Sequence, residues 1–377
     1  MGISSGAAPG AYGTPFSPPT PAADSPSPTG PGAGGFATPP PTSGGGAGFD
    51  PGFGGGQFAA LDGGGLAITD NAGYIDSAII RSRIRMRYDL GYGLTSPDRG
   101  EFFYAKCGCF ALRGTLRDNP SAFDPRANGP VPSAAQVRRF GGNATEVNVD
   151  YQEFLPYFEY AASERFSVFT EVPIRFINPT INDNAAGFSD MNVGFKYALV
   201  ASPDRFYTFQ MRVYVPTGDS DQGLGTRHAS FEPGLLVFQR LSDRLFLHAE
   251  VRDWIPIRGT DHAGNILRYG LGLSYNAFQT DSMRIAPVGE VVGWTLLDGR
   301  ETDALSPEDP ATLSNDAGGD TIVNGKFGIR IGFGEYGNAG GGSSLNDRSS
   351  LFLGYARALT GDHWYRDGLR LEYNYYF

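Results

Sequence analysis

An all-β fold, a transmembrane antiparallel up-and-down β-barrel of about twelve strands behind a Pro/Gly-rich N-terminal extension, is what this sequence predicts. Three observations lead there. Apolar and polar residues alternate in segment after segment, with the charges gathered on one face. The connections between those segments are mostly short and long in turn. Composition agrees: 54 glycines and 27 prolines among 377 residues, with 13% aromatic and only 19% charged residues, favour turns and strands over long solvated helices.

The first strand shows the alternation most clearly. In the stretch 80–88, Arg81, Arg83, Arg85 and Arg87 fall on one face and Ile80, Ile84, Met86 and Tyr88 on the other. One face must be wet and the other apolar. Similar alternation recurs in 193–197, 209–215, 267–275, 323–331 and 369–375. Bounded by turn residues, strands are expected at 76–90, 144–160, 165–177, 190–201, 205–216, 228–240, 245–257, 265–277, 283–297, 319–334, 349–358 and 365–377. Tight turns such as Ala162-Ser163-Glu164, Ser202-Pro203-Asp204, Ser242-Asp243 and Thr280-Asp281-Ser282 fall at one rim. The longer connections 91–143, 178–189, 217–227, 258–264 and 298–318 fall at the other. The connection 335–348 is long for its rim and leaves the strand count open by a pair. A soluble β-sandwich also offers many short strands, but its interior does not collect charge from nearly every one of them.

Other features narrow the class. A net charge of −10 argues against nucleic acid as a partner, because that contact needs a basic face. No run of 18 apolar residues is present, so a helical span is excluded, whereas barrel strands give only a weak hydropathy signal. Met1–Gly10 has neither a basic nor an apolar signal region, so a signal peptide is expected to have been removed or to lie outside this chain. Cys107 and Cys109 are too few for a disulfide scaffold or a four-ligand zinc site, and a strained disulfide, free thiols and half of an intermolecular site all stay open.

Two domains follow: a low-complexity tail, 1–65, and the barrel, 66–377, with a large first external loop at 91–143. The tail has too few large apolar residues to offset its ordering entropy, which reads as a linker or wall-spanning arm. A segment that threads a pore or binds a partner protein or the cell wall is the alternative, with Phe16, Phe36, Phe49, Phe53 and Phe58 as anchors.

If the apolar face meets outer-membrane lipid, the lumen is lined by Arg81, Arg83, Arg85, Arg87, Arg175, Lys196, Arg212, Arg252, Arg268, Arg284, Lys326, Arg330 and Arg370. Glu171, Glu232, Glu250, Glu290 and Glu372 face them. A charge on the lipid side costs about 2–4 kcal/mol near the midplane, which sets the assignment of faces. Such a lumen either attracts small anionic or oxygen-rich solutes through its guanidinium groups or is a paired network in a barrel too narrow to conduct. The corresponding functions are passive solute passage and structural anchorage. A membrane-embedded hydrolase needs a serine activated by histidine, and His228, His248, His262 and His363 show no such neighbour in sequence; no enzyme and no cofactor are expected. Asn182-Asp183-Asn184 and 219–223 offer oxygen ligands for a loop calcium, although turn chemistry explains them as well.

Several stretches resemble a known family, the outer-membrane barrels of the phenol-degradation meta-pathway transporter type. They are Gly187-Phe188-Ser189-Asp190 with Gly194-Phe195-Lys196-Tyr197, then Val215-Pro216-Thr217-Gly218-Asp219, then Gly223-Leu224-Gly225-Thr226. The stretch 101–107 looks like the version found in planctomycete-type bacteria. Arg227 stands where a small residue is expected. The resemblance spans roughly 75–377 and implies an outer-membrane transporter. The ending, with Tyr373, Tyr375 and Phe377, is similar to the C-terminal strand by which such barrels are recognised for assembly.

Overall fold

The computed structural model describes residues 69–95, 148–180, 183–258, 263–301, 315–336, 338–339, 342–343, 346–361 and 363–377. The tail 1–65, most of the loop 91–143, Cys107, Cys109, Asn182 and His262 lie outside them.

Twelve antiparallel strands close into a barrel. They are β1 (Arg83–Leu94), β2 (Val149–Ser163), β3 in two pieces (Phe166–Glu171 and Ile174–Pro179), β4 in two pieces (Ala185–Phe188 and Met191–Ser202), β5 (Arg205–Val215), β6 (Ala229–Arg240), β7 (Leu245–Ile257), β8 (Ile266–Tyr275), β9 (Met283–Leu296), β10 (Thr321–Glu335), β11 (Asn346–Ala358) and β12 (Asp367–Tyr376). Each pairs with its neighbour in sequence, and β1 closes the ring by pairing with both β2 and β12. Closure removes the unpaired edge that an open sheet would expose to lipid. The extra length at 336–345 is absorbed by a small hairpin, Asn338–Ala339 with Gly342–Ser343, so no further strand pair is added to the barrel.

Alternation within the strands sets the two faces. In β12 outward residues alternate strictly with buried ones, Leu369, Leu371, Tyr373 and Tyr375 facing out while Arg370, Glu372 and Asn374 face in. Phe327 (64% exposed) and Leu353 (63%) belong to the same outer apolar band, which extends round the barrel through Leu271, Val291 and Ile329. Such a band is unstable in water and stable in hydrocarbon, so this is a membrane-spanning barrel of the outer membrane. Phe377 stacks on outward-facing Phe158, ring centroids 6.0 Å apart, at the rim where the strand ends. The short turns share this rim and bond one another, Arg240 N to Asp204 O (2.7 Å) and Asn276 N to Arg244 O (2.8 Å).

Three expectations are corrected. Strand β1 begins at Arg83 and not at residue 76, because the chain before it runs inside the barrel, where every residue from Thr69 to Ile80 is buried. Ile80, expected to face lipid, packs instead in an internal cluster with Phe206, Leu236 and Phe238. The strand expected at 165–177 is broken, and the one expected at 190–201, seen as Met191–Ser202, is preceded by a piece, Ala185–Phe188, within the connection expected at 178–189. Pro173 has no N–H for the ladder, and at the break Ser189 donates its N–H to Pro173 O (2.9 Å), holding the two kinks side by side.

The outward face carries a direct test. Leu353→Arg should reduce folding stability in lipid vesicles by about 2–4 kcal/mol, the midplane cost of a charge, read from urea titrations of tryptophan fluorescence.

Candidate functional site

The lumen is built by cross-strand register. Strand β1 turns Arg83, Arg85 and Arg87 inward. Arg83 faces Glu159 of β2 and pairs with it at 3.0 Å, and Arg87 faces Glu372 of β12 at the same distance. Arg85 reaches past Tyr157, lying 4.2 Å from its ring centroid, to Glu171 at 2.6 Å. The same rule places Arg175 on Glu153 (2.6 Å) and Arg370 on Asp89 (2.6 Å). Lys196 meets Glu159 (3.2 Å), Arg330 meets Glu372 (2.8 Å), Arg268 meets Glu250 (2.7 Å), and Arg252 meets both Glu232 (2.5 Å) and Glu250 (3.2 Å). Arg284 pairs with Asp347 at the short-turn end. The carboxylates Asp89, Glu153, Glu159 and Asp347 were not singled out in the sequence, although Glu153 and Glu159 alternate with outward Phe154 and Phe158 and were legible by the same rule.

Arg81 departs from this ladder. It precedes the strand at the short-turn rim, half-buried, where it donates to Asn346 Oδ1 (3.0 Å) and to Asp347 O and lies over the Tyr376 ring.

What the sequence did not show is the inserted loop, Thr69–Ser82. Its first limb stands at the short-turn end, where Asn71 bonds Asn276 and Arg284, and Asp70 pairs with Arg83 (2.9 Å). Its apex, Gly73–Asp76, reaches mid-barrel. Glu290 accepts the backbone N–H groups of Gly73 (2.8 Å), Tyr74 (2.6 Å) and Ile75 (3.3 Å), and Glu250 accepts that of Asp76 (3.2 Å). Its second limb returns to the same rim, giving Ser77 O to Lys196 and Ala78 O to Thr208, with Ser82 O accepting from Phe377 N. The wall also donates to its carbonyls: Arg330 to Ala72, Arg370 to Gly73 and Arg268 to Tyr74.

The Asp76 carboxylate is the centre of this attachment. Arg212 (2.8 Å), Arg252 (3.1 Å) and Arg85 (3.8 Å) surround it. Close approach requires small residues on both partners. A Cβ on Gly73 would lie 2.7 Å from Phe352, and one on Gly272 of β8 would lie 3.3 Å from Ile75 and 2.6 Å from Glu290. Inward glycines in a strand are the sequence signal for such an approach.

Outward of the loop lies a cavity of about 160 Å³, with Tyr74 on its floor. Arg87, Arg175, Arg212, Arg268, Lys326 and Arg370 line it together with Asp89, Glu153, Glu171 and Asp190, and with Tyr151, Tyr214, Trp254, Trp294 and Tyr365. Asp190, at the kink of β4, accepts from Gly218 N (2.9 Å), Thr226 N (2.7 Å) and Thr226 Oγ1 (2.8 Å) and thereby ties down the connection 216–228. Arg227 follows with φ 65°, a left-handed backbone, and its Nε bonds Ser220 Oγ (2.9 Å).

A family model described as "Putative MetA-pathway of phenol degradation" matches residues 122–357, well over half of the chain. The chain belongs to this family. The family match covers the strands β2 to β10 and nearly all of β11; the inserted loop, β1 and β12 lie outside it. Comparison with curated proteins gives no match. Among solved structures, the chain is similar to an outer-membrane channel from Pseudomonas putida F1, at 11% identity over 82% of this chain and 100% of that one, with a TM-score of 0.45. It is also similar to the β domain of the Bordetella autotransporter BrkA (12% identity, 79% and 100% covered, TM-score 0.40) and to a FadL homologue from Pseudomonas aeruginosa (10% identity, 78% and 90% covered, TM-score 0.33).

One juxtaposition in this family member was not legible beforehand: His248 Nε2 lies 3.2 Å from Ser274 Oγ, one residue of β7 and one of β8. Both are buried inside the barrel beside the inserted loop, away from the lipid interface where a lipid hydrolase would act.

Removing one partner from a buried ion pair costs about 3–5 kcal/mol. Asp76→Asn should therefore release the loop locally. Hydrogen exchange at the amides of Gly73, Tyr74 and Ile75 is expected to accelerate by roughly a hundredfold or more, while the amides of β9 and β10 stay protected.

Proposed function

We propose that this protein is a channel for small solutes across the outer membrane, closed from the short-turn side by its own residues 69–82 and opened when that loop withdraws. One observation carries the reading: the apex of the loop is held by polar contacts to a charged wall, while the outer half of the lumen keeps a charged cavity. An apolar core would be wet only at a large cost, whereas ion pairs and backbone hydrogen bonds exchange readily for water. Passive passage needs binding that is weak and multi-sited, which a row of already paired arginines provides.

Withdrawal also sets the charge preference. Asp76 supplies the ion-pair partner of Arg212 and shares Arg85 and Arg252, and Asp70 shares Arg83. With both carboxylates gone from the lumen, the wall is left with a basic excess, so the open form favours anions.

Planar-bilayer recordings under a salt gradient test this. The full-length protein should be mostly closed with brief openings. Asp76→Asn, and a chain with residues 69–81 removed, should conduct steadily, with a reversal potential of anionic sign. Silence in the loop-deleted, correctly inserted barrel would refute the channel and favour the other reading, an anchoring barrel whose residues 1–65 hold a partner protein or the cell wall.

A further inference from the structure

Most of the inward charges that face each other across adjacent strands are ion-paired, and Glu290 with Lys326 is a notable exception. These two stand directly opposite in the β9–β10 register. Glu290 is turned to the loop apex, where both carboxylate oxygens accept backbone N–H groups of Gly73, Tyr74 and Ile75. Lys326 is 3% exposed and makes no hydrogen bond or ion pair among the described residues. Its ammonium lies 4.3 Å from the Tyr74 ring centroid and 4.9 Å from that of Trp294, at the wall of the cavity. Arg370 lies over Tyr74 at 4.2 Å and Arg268 over Trp294 at 5.4 Å, so two further cations flank it. Those two are already neutralised, by Asp89 and Glu250.

We infer that the cavity above the loop is a binding site for a small organic carboxylate, with Lys326 as its anchoring cation and Glu290 as the internal competitor that releases the ligand. Charge on a buried lysine with no ion-pair partner, beside two other cations, costs free energy that a bound monoanion offsets. Leu155 and Trp294 provide apolar wall for a small organic body beyond the carboxylate. The loop controls the site. While it is seated, Glu290 is engaged by its backbone and Lys326 is free for the solute; as it withdraws, Glu290 loses those donors, swings to Lys326 across the strand pair, and displaces the bound anion. Binding and loop position are thereby coupled, and the anion favours the seated loop.

The site rests on the solute-passage reading for its purpose but has its own readout, binding measured without any flux. Isothermal titration of the full-length detergent-solubilised protein with sodium benzoate should give a saturable isotherm, and neutral benzamide should give none. Lys326→Met should weaken benzoate by roughly tenfold or more, and Lys326→Arg should retain it. Asp76→Asn, which frees the loop, should weaken it similarly, and Glu290→Gln added to Asp76→Asn should restore it, because the competitor is then neutral. Unchanged binding in Lys326→Met, equal binding of benzamide, or no recovery in the double variant would overturn the site. If Lys326→Met fails to fold, as judged by loss of heat-modifiable mobility on gels, the Asp76→Asn pair decides alone. A barrel that binds benzoate in this pattern yet stays silent without its loop would end the channel reading and leave the site standing.

Discussion

Guanidinium groups gathered inside a narrow tube must be neutralised, and the rest of this molecule is arranged around that requirement. An isolated charge in a poorly solvated interior costs several kcal/mol, and mutual attraction offsets that cost only where geometry is good. Register solves much of the problem within the wall, as between Arg83 and Glu159 or Arg175 and Glu153. The loop 69–82 intervenes where register alone would have sufficed. Arg212 stands opposite Glu232 and Glu290 opposite Lys326 across their strand pairs, yet Arg212 turns to Asp76 and Glu290 to the loop backbone. The wall thus gives up two of its own matches in order to hold the insert.

The barrel was largely legible in the sequence because a period of two is a geometric property of strands that the membrane enforces on one side and the lumen on the other. The residues 245–257 and 283–296 fell within a residue of their expected limits for that reason. The break in β3 was signalled by Pro173 but masked by continuing alternation on both sides of it.

The inserted loop escaped because it has no pattern of its own. Its apolar members, Ile75, Ile79 and Ile80, are buried on a chain surrounded on all sides, so no face has to be polar, and the segment leads into a real strand without a turn signal. The clues lay on the wall. Gly270 and Gly272, inward on β8, leave space that no barrel of this diameter needs to leave unless another backbone comes close. The inward residues of β1 follow the alternation from Arg83 onward, and Arg81 lies outside the ladder because it precedes the first ladder hydrogen bond.

The two limbs of the loop enter and leave at one rim, with Asp70 beside Arg83 and Ser82 beside Phe377. Topologically the insert is therefore a bight and not a thread. Among the described residues, no segment has to pass through the ring for the loop to go in or come out, so the sheet can zip closed first and take up its occupant afterwards. The same geometry makes the movement repeatable: a bight pushed into a tube slides back along its own path, and the hydrogen bonds that close β1 against β12 need not part for it to do so.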